Sequence, residues 1–597
     1  MPLDRDAFLA RPDLEGSFGM AASTHWVASS VAQAVLERGG NAFDAAAAAG
    51  LVLHVVEPHL NGPGGELVAL LARAGETPQV LSGQGPAPRA ATIDHFRSAG
   101  LTSVPGSGAL AAAVPGAFDA WLLMLRDWGT WELADVLEFA VHYATHGHPL
   151  LASAARVIGE VEGLFRDSWP TSMQLWLPED RAPVAGEVHR NPAWARTLSR
   201  LRDEAIHAAG GTTREAVIEA ARAIWRGGFV AEAIDRFVSS SYHLHAHGSV
   251  LRGVLSATDL AAYAAHVEAP VSREFRGHRI FKAAAWTQGP VLLQALAILE
   301  EFSDADLDLS SATGIHLVVE TLKLALADRD AHYGAGISDA GLATLLSDRY
   351  AKERREQITD VASLEFRPGR AKSLSSFLPP LLLARPDAVG ALGEPTVRWD
   401  GETRGDTCHV DVIDQWGNAI SVTPSGGWLQ SSPTIPELGF ALGTRLQMTH
   451  LDPASPSALR PGLRPRTTLS PTIVTRPDRL IALGTPGGDQ QDQWQLVALL
   501  RMLVAGLSPQ TSIESPMFHT TSAASSFWPR TWTPGGLVAE DRFSPDLVSE
   551  LRDRGHLVEL APPWSLGRLS LVQRDTARGL LSAAANPRGA QGYATGR

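Results

Sequence analysis

The sequence predicts an α+β protein built in layers. Its first two-thirds reads mainly as helical patterns, and from Thr407 onward the apolar residues switch to a period of two. A composition of 45% hydrophobic and 19% charged residues over 597 positions gives a chain able to bury a large core.

The elements follow in order. A predicted helix over 27–38 stops at Gly39-Gly40. The run 44–56 is alanine-rich and apolar on nearly every face, so it belongs in a core. It ends at Glu57-Pro58, before the turn-rich Asn61-Gly62-Pro63-Gly64-Gly65. Further helices are predicted over 117–126, 133–145, 214–225, 290–302 and 314–331. Residues 366–406 are rich in proline and glycine and read as an irregular linker. Beyond it, 407–414 and 418–423 flank Gln415-Trp416-Gly417 as a hairpin, and 470–475 and 479–485 form a second across Arg476-Pro477-Asp478. A helix over 489–504 follows Gly484-Thr485-Pro486-Gly487-Gly488.

Several functions are disfavoured at once. A net charge of −13 argues against a nucleic-acid partner bound through a global basic surface. The single cysteine, Cys408, excludes a disulfide framework and a paired-cysteine zinc site. No apolar run reaches the roughly 18 residues of a membrane span, and the opening residues hold no signal-like core, so the expected location is the cytoplasm, with no membrane partner. His243, His245 and His247 alternate, but no acidic ligand stands near them in sequence; the segment reads as a polar surface loop, and no metal is expected. Gly484–Gly488 lacks the lysine and spacing of a phosphate-binding loop. Asp44 and Glu57 read as a cap and a structural acid, and Trp428 and Trp494 as pocket-wall or core residues.

The chemistry concentrates in Gly405-Asp406-Thr407-Cys408-His409, where the linker meets a strand. A cut before Thr407 leaves a new α-amine beside the hydroxyl of the same residue, and a neutral amine is a competent general base for it. An α-amine titrates near about 7.7–8.0, so it is partly neutral at pH 7. On these residues alone, a threonine opening an ordinary strand is the commoner meaning of the pattern, and Cys408 is also a chemically competent nucleophile.

The order of motifs goes further. GMAAST at 19–24, GGNAFDAAAAAGLVLHVVEP at 39–58, GPGGE at 62–66, AAVPGAFDAW at 112–121 and HLVVETLKLALADRD at 316–330 are followed by TCHVDVIDQWGNAISVT at 407–423, RPRTTLSPTIV at 464–474, GTPGG at 484–488 and NPRGAQGYA at 586–594. Together they resemble the γ-glutamyltranspeptidases of the N-terminal-nucleophile hydrolase superfamily, over nearly the whole chain. The resemblance implies an αββα four-layer sandwich and a proenzyme that cleaves itself between Asp406 and Thr407. The resulting chains, 1–406 and 407–597, stay associated as one catalytic domain. Thr407 rather than Cys408 is implied as nucleophile, because Asp414 and Gly417-Asn418 keep the family's distance from it. Gly487 and Gly488 match the oxyanion-hole glycines, and Ser425 matches a hydroxyl that holds the new α-amine. Gln447, Thr467 and Thr468 match substrate-pocket positions. The implied substrate is a small amide or peptide, the acceptor water or an amine, and no cofactor or metal is called for.

Three positions depart from the family pattern, all in the clamp for a glutamate α-carboxylate and α-amine. Ser82 stands where the family has an arginine, His450 where it has an aspartate, and Gly427 where it has an asparagine. A hydroxyl does not replace a bidentate cation. The short interval between His450 and Arg464 implies a reduced active-site lid. Arg89, Arg445, Arg464 and Arg466 are candidates to rebuild an anion site. The expected substrates are a γ-glutamyl or similar amide, or alternatively a non-glutamyl amide whose acyl part carries a carboxylate, oxamate-like or glutaryl-type. A non-processing binding or scaffold protein is the reading from another class.

Overall fold

The structure, a computed structural model, describes residues 9–211, 213–370, 374, 377–383, 407–590 and 592–597. The expected cut site at Asp406 and most of the linker's second half lie outside the described residues.

Two seven-stranded antiparallel sheets form the centre. In chain order their strands are β1 (Leu14–Gly16), β2 (Gly19–Ser23), β3 (Glu66–Ala72), β4 (Gln79–Ser82), β5 (His266–Glu268), β6 (Val271–Phe275), β7 (His278–Lys282), β8 (Val410–Asp414), β9 (Ala419–Ser425), β10 (Thr472–Arg476), β11 (Arg479–Gly484), β12 (Ser570–Asp575), β13 (Leu580–Ala585) and β14 (Tyr593–Gly596). One sheet runs β14-β2-β8-β9-β3-β4-β5 and the other β1-β13-β12-β11-β10-β7-β6.

The apolar clusters give the layer order. Met20, Val68, Leu70, Ile413, Ile473, Ala482 and Val572 meet between the sheets. The first sheet's other face carries Val410, Val412, Ile420 and Val422 against α1 (Trp26–Glu37), α2 (Ala42–Val56) and α3 (Ala117–Trp128). The second sheet's other face packs Ile280, Val474, Ile481 and Leu483 against α7 (Pro290–Leu299), α8 (Ala312–His332) and α9 (Gln491–Leu503). Between them in chain order, α4 (Leu133–His146), α5 (Pro192–Ala209) and α6 (Arg214–Gly227) complete the first helical layer. Helix, sheet, sheet, helix is the expected αββα sandwich.

Local sequence explains the main elements. Every residue of α2 is buried, as its all-apolar run requires, and Asn41 and Asp44 close a capping box at its start. Asp44 also accepts from the backbone of Thr130 and Trp131, so it is the expected cap. The β8–β9 hairpin turns on Asp414, whose carboxylate accepts from the backbone of Trp416 and Asn418, both at 3.0 Å, while Gly417 takes φ +92°.

One sequence expectation is incomplete and one needs correction. The first part of the chain is mainly helical, as expected, but it also supplies β1–β7, strands of both sheets that the sequence pattern does not mark. β3 (ELVALLA) is buried along its whole length, so it shows no polar alternation to mark it as a strand. The 243–247 segment is not a surface loop. His243 and His245 are buried, and His245 accepts from the Leu110 amide while His247 faces Ser103, so the three do not converge on a metal.

Candidate active site

Thr407 lies three residues before the start of β8 and pairs with Ser425, the last residue of β9, through an isolated antiparallel bridge. Strand alternation sets what each neighbour faces. Position 413 joins the cluster between the sheets, and Asp411 accepts from Ser570 of the opposite sheet at 2.9 Å. Cys408, Val410 and Val412 point instead into the helical layer. Thr407 is in phase with the inter-sheet set, and Cys408 is not.

The Thr407 hydroxyl donates to the Ser425 hydroxyl at 3.2 Å, and Arg445 donates to the same oxygen at 3.2 Å. Arg445 is ion-paired with buried Glu66 on β3. Burial raises the Glu66 carboxyl above its usual range, and Arg445 partly offsets this. The GPGGE motif has a steric reason here. A Cβ on Gly65 would lie 2.1 Å from the Ser425 carbonyl oxygen, and one on Gly62 would lie 2.4 Å from that of Gly427. The backbone of 62–66 thus lies directly against the strand end that holds Ser425.

Cys408 belongs to another environment. It is fully buried, donates to Glu57 at 2.9 Å and accepts from Asn61 at 3.1 Å. Glu57 also accepts from Thr24 at 2.6 Å, in keeping with a structural acid.

β11 brings the glycine loop to the same end of the sandwich. A Cβ on Gly484 would lie 2.2 Å from the ring of His409, two residues after Thr407. Gly487 then adopts φ +117°, and a side chain there would strike Trp494 at 2.4 Å. The N–H groups of Gly487 and Gly488 donate to no turn or loop carbonyl among the described residues. The Gly488 carbonyl accepts from Gln288 at 3.0 Å, and Gln288 accepts from Arg329 at 3.0 Å, which fixes the loop. Trp494 is a core residue of the second helical layer, and Trp428 donates to the Leu60 carbonyl at 2.7 Å.

The remaining sequence candidates do not all meet: Gln447 and His450 share Arg530, while Gly427 lies against Gly65. Gln447 donates to Thr444 at 3.1 Å and accepts from the Trp528 amide at 3.3 Å. Thr467 donates through its backbone to the Trp286 carbonyl at 3.0 Å. The Thr468 hydroxyl is buried and has no hydrogen-bond partner among the described residues. His450 accepts from Arg530; burial, then Arg530 and Arg466, push its pKa down to about 2, so its ring is neutral. Gly427 takes φ +65°, and a Cβ there would meet the Gly65 nitrogen at 2.8 Å, leaving no room for an asparagine.

The four arginines separate. Arg89 is exposed. Arg445 is held by Glu66. Arg464 reaches the Ser82 hydroxyl at 3.0 Å but pairs with Glu268 at 2.5 Å and lies 4.0 Å over the Trp286 ring. Arg466 is buried, donates to Ser526 at 3.0 Å and leaves Nη1 without a partner. Sequence reasoning missed Arg530, which reaches the carbonyls of Gln447 and Thr449 and the His450 ring. It lies some eighty residues further along the chain, in no motif, and only the fold brings it here.

Comparison with known proteins agrees with this geometry. A sequence model of the family described as Gamma-glutamyltranspeptidase matches residues 28–596, and the chain belongs to that family. It is 31% identical over 583 residues to the glutathione hydrolase-like YwrD proenzyme of Bacillus subtilis, covering 96% of this chain and 98% of that one. It is 29% identical over 584 residues to the oxamate amidohydrolase proenzyme of Klebsiella pneumoniae, covering 96% and 97%. The solved structure of LmbA2991HD superposes with a TM-score of 0.93 at 50% identity, covering 99% of this chain and all of that one.

Proposed function

We propose that this member of the gamma-glutamyltranspeptidase family is a self-cleaving threonine amidohydrolase or acyltransferase. The observation that carries the reading is the Thr407–Ser425–Arg445 contact at the head of β8, on the inter-sheet side of the strand and beside the glycine loop. Cleavage of the Asp406–Thr407 bond frees the Thr407 α-amine. That amine takes the hydroxyl proton as Oγ1 attacks the substrate amide carbonyl. The N–H groups of Gly487 and Gly488 hold the resulting oxyanion, where one such donor is worth about 2.7–4 kcal/mol. Collapse of the intermediate passes the proton to the leaving amine and leaves an ester on Thr407. Water or an acceptor amine then attacks the ester and restores the hydroxyl.

Ser425 orients the nucleophile, and Arg445, neutralised by Glu66, fixes Ser425. The fragments 1–406 and 407–597 remain together, because β8 and β9 lie between β2 and β3 of the first fragment. The acyl group is not a standard γ-glutamyl group. A neutral His450 that already accepts from Arg530 offers no counter-charge to an ammonium, and Gly427 offers no amide. A monoamide of a dicarboxylic acid fits better, and the name of the oxamate-cleaving relative is of this kind.

The test is to trap the ester. Mature protein mixed with glutaryl p-nitroanilide and quenched in acid during turnover should show a glutaryl mass increment on the fragment that begins at Thr407. Steady turnover with an unmodified fragment would overturn the covalent reading.

A further inference from the structure

One cluster of charges is not absorbed by the catalytic machinery. It lies next to the glycine loop, where Arg329, Arg466 and Arg530 gather around Asp330 and Asp489. Arg329 is fully satisfied. It pairs with Asp330 at 3.0 Å and with Asp489, and it donates to Gln288 at 3.0 Å and to the Ala524 carbonyl at 2.9 Å. Asp489 also accepts from the backbone and hydroxyl of Ser526, at 2.8 and 2.5 Å. Both carboxylates are therefore committed mainly to Arg329.

The other two guanidinium groups are less well matched. Arg466 is only 4% exposed, lies 3.5 Å from Asp330 and keeps one terminal nitrogen with no partner. Arg530 is bound by neutral groups alone: two carbonyl oxygens and the uncharged His450 ring. Three cations against two anions leave about one positive charge in excess within this group, and burial of an unmatched charge is costly. Burial first, and then repulsion from neighbouring arginines, lower both to about 10, an effect that Asp330 and Asp489 only partly offset. The hydroxyl of Thr468, two residues from Arg466, is likewise buried and unpartnered. Gln447 joins this group to the catalytic side, because the 3-10 turn Arg445–Met448 carries Arg445 at one end and the Arg530-bound carbonyl of Gln447 nearer the other.

We propose that Arg466, Arg530 and the Thr468 hydroxyl form a subsite for the free carboxylate of an anionic acyl group, which needs no α-ammonium. The subsite deepens the reading of Thr407 as nucleophile and rests on it. A carboxylate supplies the missing negative charge and accepts from the spare Arg466 N–H and from Thr468. The carboxylate is held by Arg466, Arg530 and Thr468, not by an arginine at position 82, where this chain has Ser82. An uncharged acyl group of the same length leaves the excess charge buried and binds more weakly.

The test compares glutaryl and pentanoyl p-nitroanilides, which differ at the terminal carboxylate, on mature wild type, Arg466→Leu and Arg466→Lys. The proposal expects wild type to favour the glutaryl substrate by about a hundredfold or more in kcat/KM, with the preference carried by KM. It expects Arg466→Leu to cut that ratio at least tenfold and Arg466→Lys to restore part of it. Equal handling of the two anilides by wild type, or an equal loss on both in Arg466→Leu, overturns it. Calorimetric binding of glutarate is measured on the same proteins and on Thr407→Ala. Binding that persists in Thr407→Ala and weakens at least tenfold in Arg466→Leu supports the subsite even if Thr407 is not the nucleophile. Absence of glutarate binding to wild type overturns it even if Thr407 is.

Discussion

The chemistry of the chain is decided by which side of one strand each residue occupies. Thr407 and Cys408 are neighbours, and local residue chemistry makes both competent nucleophiles, although the motif register already favours Thr407. Strand alternation separates them, because Cys408 points into the helical layer onto Glu57 and Asn61. Cys408→Ser should therefore leave the cut before residue 407 unchanged, as Edman sequencing of the small fragment will show. Gly487 makes the opposite demand: its φ of +117° and the nearby Trp494 ring exclude any side chain. Gly487→Ala should lower kcat by about 10²–10³ through displacement of an oxyanion donor, with a far smaller change in KM. Motif residues such as these were legible because their chemistry is local. Arg530 was not, since its partners come from 447–450 and nothing near it in sequence points to them.

At the scale of elements, the hairpin β8–β9 is the piece that places Thr407 opposite Ser425. Its register depends on Asp414, which is 1% exposed and accepts from Trp416, Asn418 and the Ala42 amide that opens α2. Asp414→Ala leaves the buried Ala42 amide and two part-buried turn amides unmet and should cost about 2–4 kcal/mol in urea unfolding, with a drop in self-cleavage. This hairpin, the second hairpin and the amphipathic or all-apolar helices could be read from period and turn residues. The strands of the first part could not. β3 is buried on both faces and shows no alternation, while β4 and β5 are too short to establish a period. The helix ends also moved: the run predicted over 290–302 ends at Leu299, where Glu300 caps it, and a 3-10 turn precedes α9.

At the scale of the molecule, the segments before and after Thr407 are interleaved within one sheet, with β2 and β3 from the first and β8 and β9 from the second. After self-cleavage they should co-elute in native size exclusion and separate only in denaturant. The core also carries an acid-sensitive load. His25, His54, His59 and His189 are buried, and burial lowers each to about 3. The unfolded chain takes up these protons below about pH 6.5 while the folded chain does not, so stability is lost as pH falls from 6.5 toward 3. Each such histidine withdraws up to about 1.4 kcal/mol per pH unit in that window. Thermal melts should show a steep fall in Tm between pH 6.5 and 4, with little change between 7 and 8 from these groups.

The most direct test of the central claim is the intact mass of the purified wild type beside that of Thr407→Ala. Wild type should give two fragments, one ending at Asp406 and one beginning at Thr407, and the variant a single uncut chain. A folded wild type that remains uncut would contradict the account, and a small fragment beginning at Cys408 would assign the nucleophile to the other face of the strand.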